Sequence, residues 1–515
     1  MIRTRREFLV DVGRSMVTAS VGFAVASDLA LASPLLFQEP VPLTFGPLEP
    51  LVDLLLATPP DKLLPLLAAR LREGTTLQQL VTAAALANAR TFGGEDYVGF
   101  HTMMALAPAW HMSQELPAAE QPLPVFKVLH RNCRRLSEYG GRSHEVLHAQ
   151  AACKSGAAPS GESLRDRVRN KDLGGAEQEF AALAPDPRAA FDALLVAVQD
   201  GAEVHRVNLP HRAWDLLSVI GMEHAHTLLR QSVHYLVKNE PSTATHSGSL
   251  RELLPKLLEQ HKLLDRKPGS EPADDDWVER VSQLIFASKP DDAAGIAAEA
   301  LADGIAPATI GEVIALASNQ LLLRDHGRTE KEVQPGKPIG SVHGDSIGLH
   351  ACDSANAWRG MAAAGNPRNT FACLILGAWQ AARDRGDRGG DFLQWQPYPL
   401  PEHQTAVTAG EPRALLQQLD TAITANDQAT AAAAVHRCGE LNHDAAPVIA
   451  LLRRYAISED GALHAEKYFH TATQEFASAR PAFRWRHLCS LARVTASEHG
   501  TPAPGYDEAR ALLKT

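Results

Sequence analysis

From Leu77 to Ala85 the apolar residues Leu77, Leu80, Val81, Ala84 and Ala85 fall at i, i+3, i+4, i+7 and i+8, the stripe of an amphipathic helix. The same spacing recurs along the chain, which is rich in Ala and Leu and has few alternating β-branched runs. The pattern predicts an all-α fold. Gly, Pro and charged clusters break it at 154–162, 266–276, 328–340 and 385–404, leaving helical blocks of tens of residues.

Laid on itself, the chain repeats. The segment from Pro60, PDKLLPLLAARLREGTTLQQLVTAAALA, aligns without gaps to the segment from Pro290, PDDAAGIAAEALADGIAPATIGEVIALA. Gly74 then meets Gly304, Leu80 meets Ile310, and Leu86-Ala87 meets Leu316-Ala317. Further on, HTMMALAPAW from His101 resembles HACDSANAW from His350. Two related helical halves built of helix pairs follow, at 33–270 and 271–515, with the join near 266–276. In this reading the helices at 77–88 and 307–318 are equivalent, and so are His101 and His350.

Histidine gives the repeat its candidate chemistry. His101, His211, His350 and His464 are each expected to open a helix, and each is followed by a second helical run. Two of those second runs begin alike, with P-x-F-[KR]-x-x-H at Pro124 to His130 and at Pro481 to His487, as suits proline in a first helical turn. His211 and His234 are 23 residues apart, as are His464 and His487. Paired helices of this kind can aim several imidazoles into one space. Imidazole is the commonest metal ligand, so the expectation is a mononuclear or dinuclear site for iron, copper, manganese or zinc. Its four histidines would be His101, His211, His350 and His464, with His130, His234 and His487 as supporting or alternative ligands. Glu223 and His226 show the E-x-x-H spacing of carboxylate-bridged metal pairs, with Glu203 and Glu466 as further carboxylates. The rival reading is a non-enzymatic helical-repeat scaffold that binds a partner.

The N-terminus reads TRREFLV, then a weakly apolar run from Met16 to Ala26, then Ala30-Leu31-Ala32 before Ser33. The pair Arg5-Arg6 with Phe8 and Leu9 resembles a twin-arginine signal peptide over residues 1–32, which implies handling by the twin-arginine translocase and a periplasmic or secreted mature protein. After removal of the signal, no long apolar run remains to hold the chain in a membrane. The balance is acidic, 60 Asp and Glu against 50 Lys and Arg, with no basic tract, which speaks against nucleic acid as a partner. Six scattered cysteines form no C-x-x-C, which argues against c-type haem, iron–sulfur clusters and zinc ribbons, and leaves disulfide pairing open. No G-x-G-x-x-G follows a strand pattern, so no Rossmann dinucleotide site is readable.

His144-Glu145-Val146-Leu147-His148 spells H-E-x-x-H, the zinc signature of metalloproteases. Its setting is unlike theirs: YGGRS precedes it, Ser143 reads as a helix N-cap with Glu145 in the first turn, and KSGAAPSG soon ends the run. A zinc protease is therefore the lesser alternative. The blocks HACDSANAWRGMA and NLPHRAWDLLSVIG resemble segments of the questin oxidase family, with Ser354 and Asn356 departing from its pattern. That resemblance implies oxidation of a small aromatic or quinone-like molecule in the Baeyer–Villiger manner, hence a metal-dependent oxidoreductase acting on a small substrate.

Overall fold

A computed structural model describes residues 41–139, 141–150, 158–344 and 346–514. The twin-arginine segment lies outside the described residues.

The described chain is all-α, with isolated bridges and no extended strand. Its first half runs α1 (Glu49–Ala57), α2 (Pro60–Arg72), α3 (Leu77–Phe92), α4 (Tyr97–Gln114), α5 (Pro122–Glu138), α6 (Gly161–Arg169), α7 (Leu173–Leu183), α8 (Pro187–Val198), α9 (Val204–Ile220), α10 (Ala225–His246) and α11 (Leu250–Gln260). The second half runs α12 (Asp275–Ala287), α13 (Pro290–Ala302), α14 (Pro307–Arg324), α15 (Ile347–Ala364), α16 (Pro367–Arg388), α17 (Pro401–Ala406), α18 (Pro412–Thr424), α19 (Gln428–Glu440), α20 (Ala446–Ser458), α21 (His464–Ser478), α22 (Trp485–Glu498) and α23 (Tyr506–Leu512).

The repeat is structural. In the first half α1 packs on α3 and α5, α2 on α5, and α3 on α4 and α5; in the second α12 packs on α14 and α16, α13 on α16, and α14 on α15 and α16. The aligned helices α2 and α13 are both 13 residues long and both begin at the aligned proline. The aligned glycines that follow them adopt the same left-handed turn, with φ +98° at Gly74 and +90° at Gly304, a conformation that strains any residue with a Cβ. Leu80 and Ile310 are both buried. The halves also interlock: α23 packs on α2 and α5, while α11 packs on α13 and α16, the exchange expected of a pseudo-twofold axis.

At the centre, α4, α9, α15 and α21 form a closed ring of contacts, α4 to α9 to α15 to α21 and back to α4. Each is followed by an outer helix packed on it, α5, α10, α16 and α22. Burial all round explains why some of these central helices lack a clean amphipathic pattern: in α4 every residue from Gly99 to Ala109 is buried. Caps fix where they begin. The side chains of Asp96, Glu203 and Ser346 accept backbone N–H groups at the starts of α4, α9 and α15. Leu463, which precedes α21, is left-handed with φ +69°, as is Ala462 before it at +51°. That strain sits directly before His464, the first residue of α21.

Two local expectations are overturned. Ser143 does not cap a helix: Gly141–His144 is a single 3-10 turn, residues 145–147 have no regular structure, and His148 bridges to Pro42. Glu145 is drawn to Arg90, 3.1 Å away, so the two histidines of H-E-x-x-H do not share the helical turn that zinc chelation by that signature needs. Likewise Pro124 lies in the first turn of α5, but Pro481 precedes α22, which begins only at Trp485.

Candidate metal centre

The starts of the four inner helices converge, and each contributes one imidazole: His101 from α4, His205 from α9, His350 from α15 and His464 from α21. Ring centroids are 4.9 Å apart for His101 and His205, 6.2 Å for His205 and His350, 5.2 Å for His350 and His464, and 5.3 Å for His464 and His101. His101 and His350, from corresponding helices of the two halves, stand diagonally opposite. His205 takes the place expected for His211.

The orientation of the rings is set from outside the circle. His101 Nδ1 lies 2.7 Å from the carbonyl oxygen of Tyr97, His205 Nδ1 lies 2.6 Å from Glu203 Oε1, and His464 Nδ1 lies 3.3 Å from the carbonyl oxygen of Gly461. Each acceptor requires a proton on Nδ1, which leaves Nε2 as a lone-pair donor. The Nε2 atoms of His101 and His205 are buried without a hydrogen-bond partner, and those of His350 and His464 approach to 3.2 Å. A carbonyl or carboxylate behind three of the four imidazoles is the arrangement that orients metal-binding histidines.

Electrostatics favour the neutral form of two of the rings. Burial, then the charge of Lys467 and the neighbouring imidazoles, holds His101 and His464 well below the usual histidine pKa. Lys467, one turn along α21 from His464, is itself fully buried and brought down to about 8 by that burial. Burial works to raise Glu203, but the hydrogen bonds from His205 outweigh it and hold the carboxylate at about 2. Tyr235 also donates to Glu203, at 2.7 Å. Aromatic rings flank one side: Tyr97, which is exposed, lies 4.3 Å from His101, and Phe100 lies 5.0 Å from the same ring.

The other histidines named from sequence are elsewhere. His211, six residues beyond His205, packs half-buried against Gly360 of α15, where an added Cβ would meet its Nε2 at 2.2 Å. His234 is clamped between Glu95 at 3.0 Å and Glu177 at 2.7 Å. His487 is buried on α22 and brought down to about 3 by burial, and His130 is half-buried on α5 against Gly505. His226 stacks on Phe180, while Glu223 is exposed in the turn Met222–His224, so this E-x-x-H pair does not join the circle. Of the extra carboxylates, Glu203 holds His205, and Glu466 is fully buried in an ion pair with Lys127 at 2.7 Å. The five described cysteines are buried and unbridged.

Sequence reasoning missed His205 and Lys467. A signal for His205 was present: His101 and His130 are 29 residues apart, and so are His205 and His234, whereas His350 to Cys373 and His464 to His487 both span 23. Each half keeps its own spacing between inner and outer helix.

Below the circle the bundle stays polar. Arg212 donates to Thr471 at 2.9 Å, which donates to Asp353 at 2.6 Å. Beyond that layer His111, Asp215 and His470 gather, with one ligand atom from each within 4.8 Å of the others. Among the described residues no helix is long and apolar enough to cross a membrane. No known protein family, curated protein or solved structure matches the chain.

Proposed function

We propose that the four-histidine circle holds a first-row transition metal, and that the protein is an exported oxidoreductase that uses this metal to oxidise a small aromatic or apolar molecule. The observation that carries the reading is the circle itself: four imidazoles from four helices, three with Nδ1 engaged behind them and two with a buried, unpartnered Nε2. Neutral nitrogen donors suit iron, copper, manganese or zinc. The Tyr97 and Phe100 rings beside His101 offer an aromatic wall for a planar substrate. Bound metal would supply redox or Lewis-acid chemistry, while the chain's own residues hold the ligands neutral and oriented. An open helical scaffold fits less well, because solenoid repeats touch only their neighbours, whereas here α21 closes back on α4.

The test is metal content. Protein recovered from its native compartment is expected to carry metal that His350→Ala and His464→Ala lose, while His211→Leu keeps it. A folded, metal-free wild type, or ring variants with full metal, would return the protein to the scaffold reading. Export is tested separately: with Arg5 and Arg6 both changed to Lys, the protein is expected to stay in the cytoplasm, because the translocase reads the arginine pair. Undiminished export of the double variant would remove the twin-arginine reading.

A further inference from the structure

We propose a second metal site in the same bundle, in which His111, Asp215 and His470 bind a divalent first-row transition-metal ion. The site is distinct from the four-histidine circle. His111 lies ten residues after His101, Asp215 ten after His205 and His470 six after His464, so the cluster sits roughly 9–15 Å further along the helices at 1.5 Å per residue.

Three inner helices each supply one ligand: α4 gives His111, α9 gives Asp215 and α21 gives His470. His111 Nε2 is 3.3 Å from Asp215 Oδ1, and His470 Nε2 is 3.7 Å from Asp215 Oδ2. The two imidazoles stack with centroids 4.8 Å apart and planes only 3° from parallel. Two atoms mark the cluster as unfinished: Asp215 Oδ2 and His470 Nε2 are buried, and neither has a hydrogen-bond partner. Buried polar atoms are nearly always satisfied, so a pair left bare and facing each other calls for a third body between them.

The charge on the cluster is compatible with a cation. Burial acts to raise Asp215, but His111, His470 and Arg212 carry its carboxyl well below the usual range, and burial brings His470 down to about 4. The nearest competing cation, Arg212, is turned to Thr471 and Asp353. Two histidines and one carboxylate, with a further position open, form the donor set of catalytic zinc sites and of non-haem iron sites. About a third of the His111 side chain is exposed, which gives an ion a way in.

The experiment is anomalous diffraction from crystals soaked in zinc chloride, with zinc titrations of the full chain in solution. Wild type is expected to show a zinc peak enclosed by the three side chains. Asp215→Asn and His111→Ala should each abolish that peak and weaken zinc binding at this site at least about tenfold, leaving any peak at the circle in place. His111→Ala guards against a folding artefact, because that side chain is the most exposed of the three. The two metal readings separate cleanly: a peak here with none at the circle overturns only the four-histidine site, and the reverse overturns only this one. Soaked wild-type crystals without a peak here, or a peak that survives both substitutions, would end the proposal.

Discussion

His234, His101 and His464 are all buried imidazoles backed by carboxylate or carbonyl oxygen, yet their pKa values move in opposite directions. His234 uses both of its nitrogens on anions, Glu95 and Glu177, and although burial acts against it, these partners raise its pKa above the ordinary histidine value. In His101 and His464 one nitrogen is used on an outer carbonyl oxygen and the other faces further imidazoles, and burial pushes both pKa values down. The second nitrogen decides the outcome. An oxygen anion there favours the charged ring, which holds structure together, and other nitrogens there favour the neutral ring, which keeps a lone pair for a cation.

The sharpest way to break this contrast is to remove one ring from each place. His234→Ala would leave Glu95 and Glu177 facing each other across a mostly buried gap and is expected to cost about 3 kcal/mol of folding stability, the scale of a buried ion pair that loses a partner. Its metal content should stay that of wild type. His101→Ala should do the reverse, with metal lost and the stability of the metal-free protein falling by less. Denaturant unfolding of metal-stripped protein, alongside metal analysis, reads both effects. Equal stability losses would mean that the circle is an ordinary polar core.

Replacing the acceptor instead of the ligand gives a smaller effect. Glu203→Gln keeps the size of the side chain but removes the charge that fixes the proton on His205 Nδ1. Metal affinity is expected to fall 10- to 100-fold, the range typical of partners behind metal ligands, with the fold intact. An unchanged affinity would show that His205 does not depend on Glu203 for its tautomer.

Acidity separates the two regions through the sign of their linkage. His101, His464, His211, His226, His470 and His487 all have lowered pKa values, near 3 for His211, His226 and His487 and near 4 for His470. The unfolded chain therefore binds more protons than the folded one below about pH 6.5, and the metal-free protein should lose stability steadily as pH falls from there. His234 works the other way. Its raised pKa gives stability that is fully present below about pH 6.5 and is lost as pH rises through the folded value. The stability deficit of His234→Gln should accordingly be greatest near pH 5.5 and shrink by pH 8.5. A deficit that grows with pH would reverse the assignment.

Local chemistry that the chain spells out was legible in the sequence. The prolines at 60 and 290, the glycines at 74 and 304 and the helical stripes between them announced the repeat, because caps and left-handed turns depend on near neighbours alone. His101, His350 and His464 were legible for the same reason, since each lies within the first five residues of its helix. What no short stretch contains is the register of a helix buried on every side. α9 carries both His205 and His211, and only packing decides which of them reaches the axis. Lys467 was hidden in a different way: a lysine reads as surface until the bundle closes over it.

His211 therefore provides the finest test of the contrast. It lies on the same inner helix as His205, six residues or roughly 9 Å along, and is likewise half-buried, yet it packs on the backbone of α15 at Gly360. Burial, helped by the charge of Arg212, brings it down to about 3, and its Nδ1 has no partner to lose. His211→Leu, close in volume, should cost less than about 1.5 kcal/mol. It should also change metal affinity at the circle by less than about twofold, because a side chain that touches neither the ligands nor their acceptors acts independently of them. His205→Ala in the same assay should abolish binding. If His211→Leu lost metal and His205→Ala kept it, the register of α9 would be shifted, and the circle would consist of the four histidines that equal spacing in the sequence first pointed to.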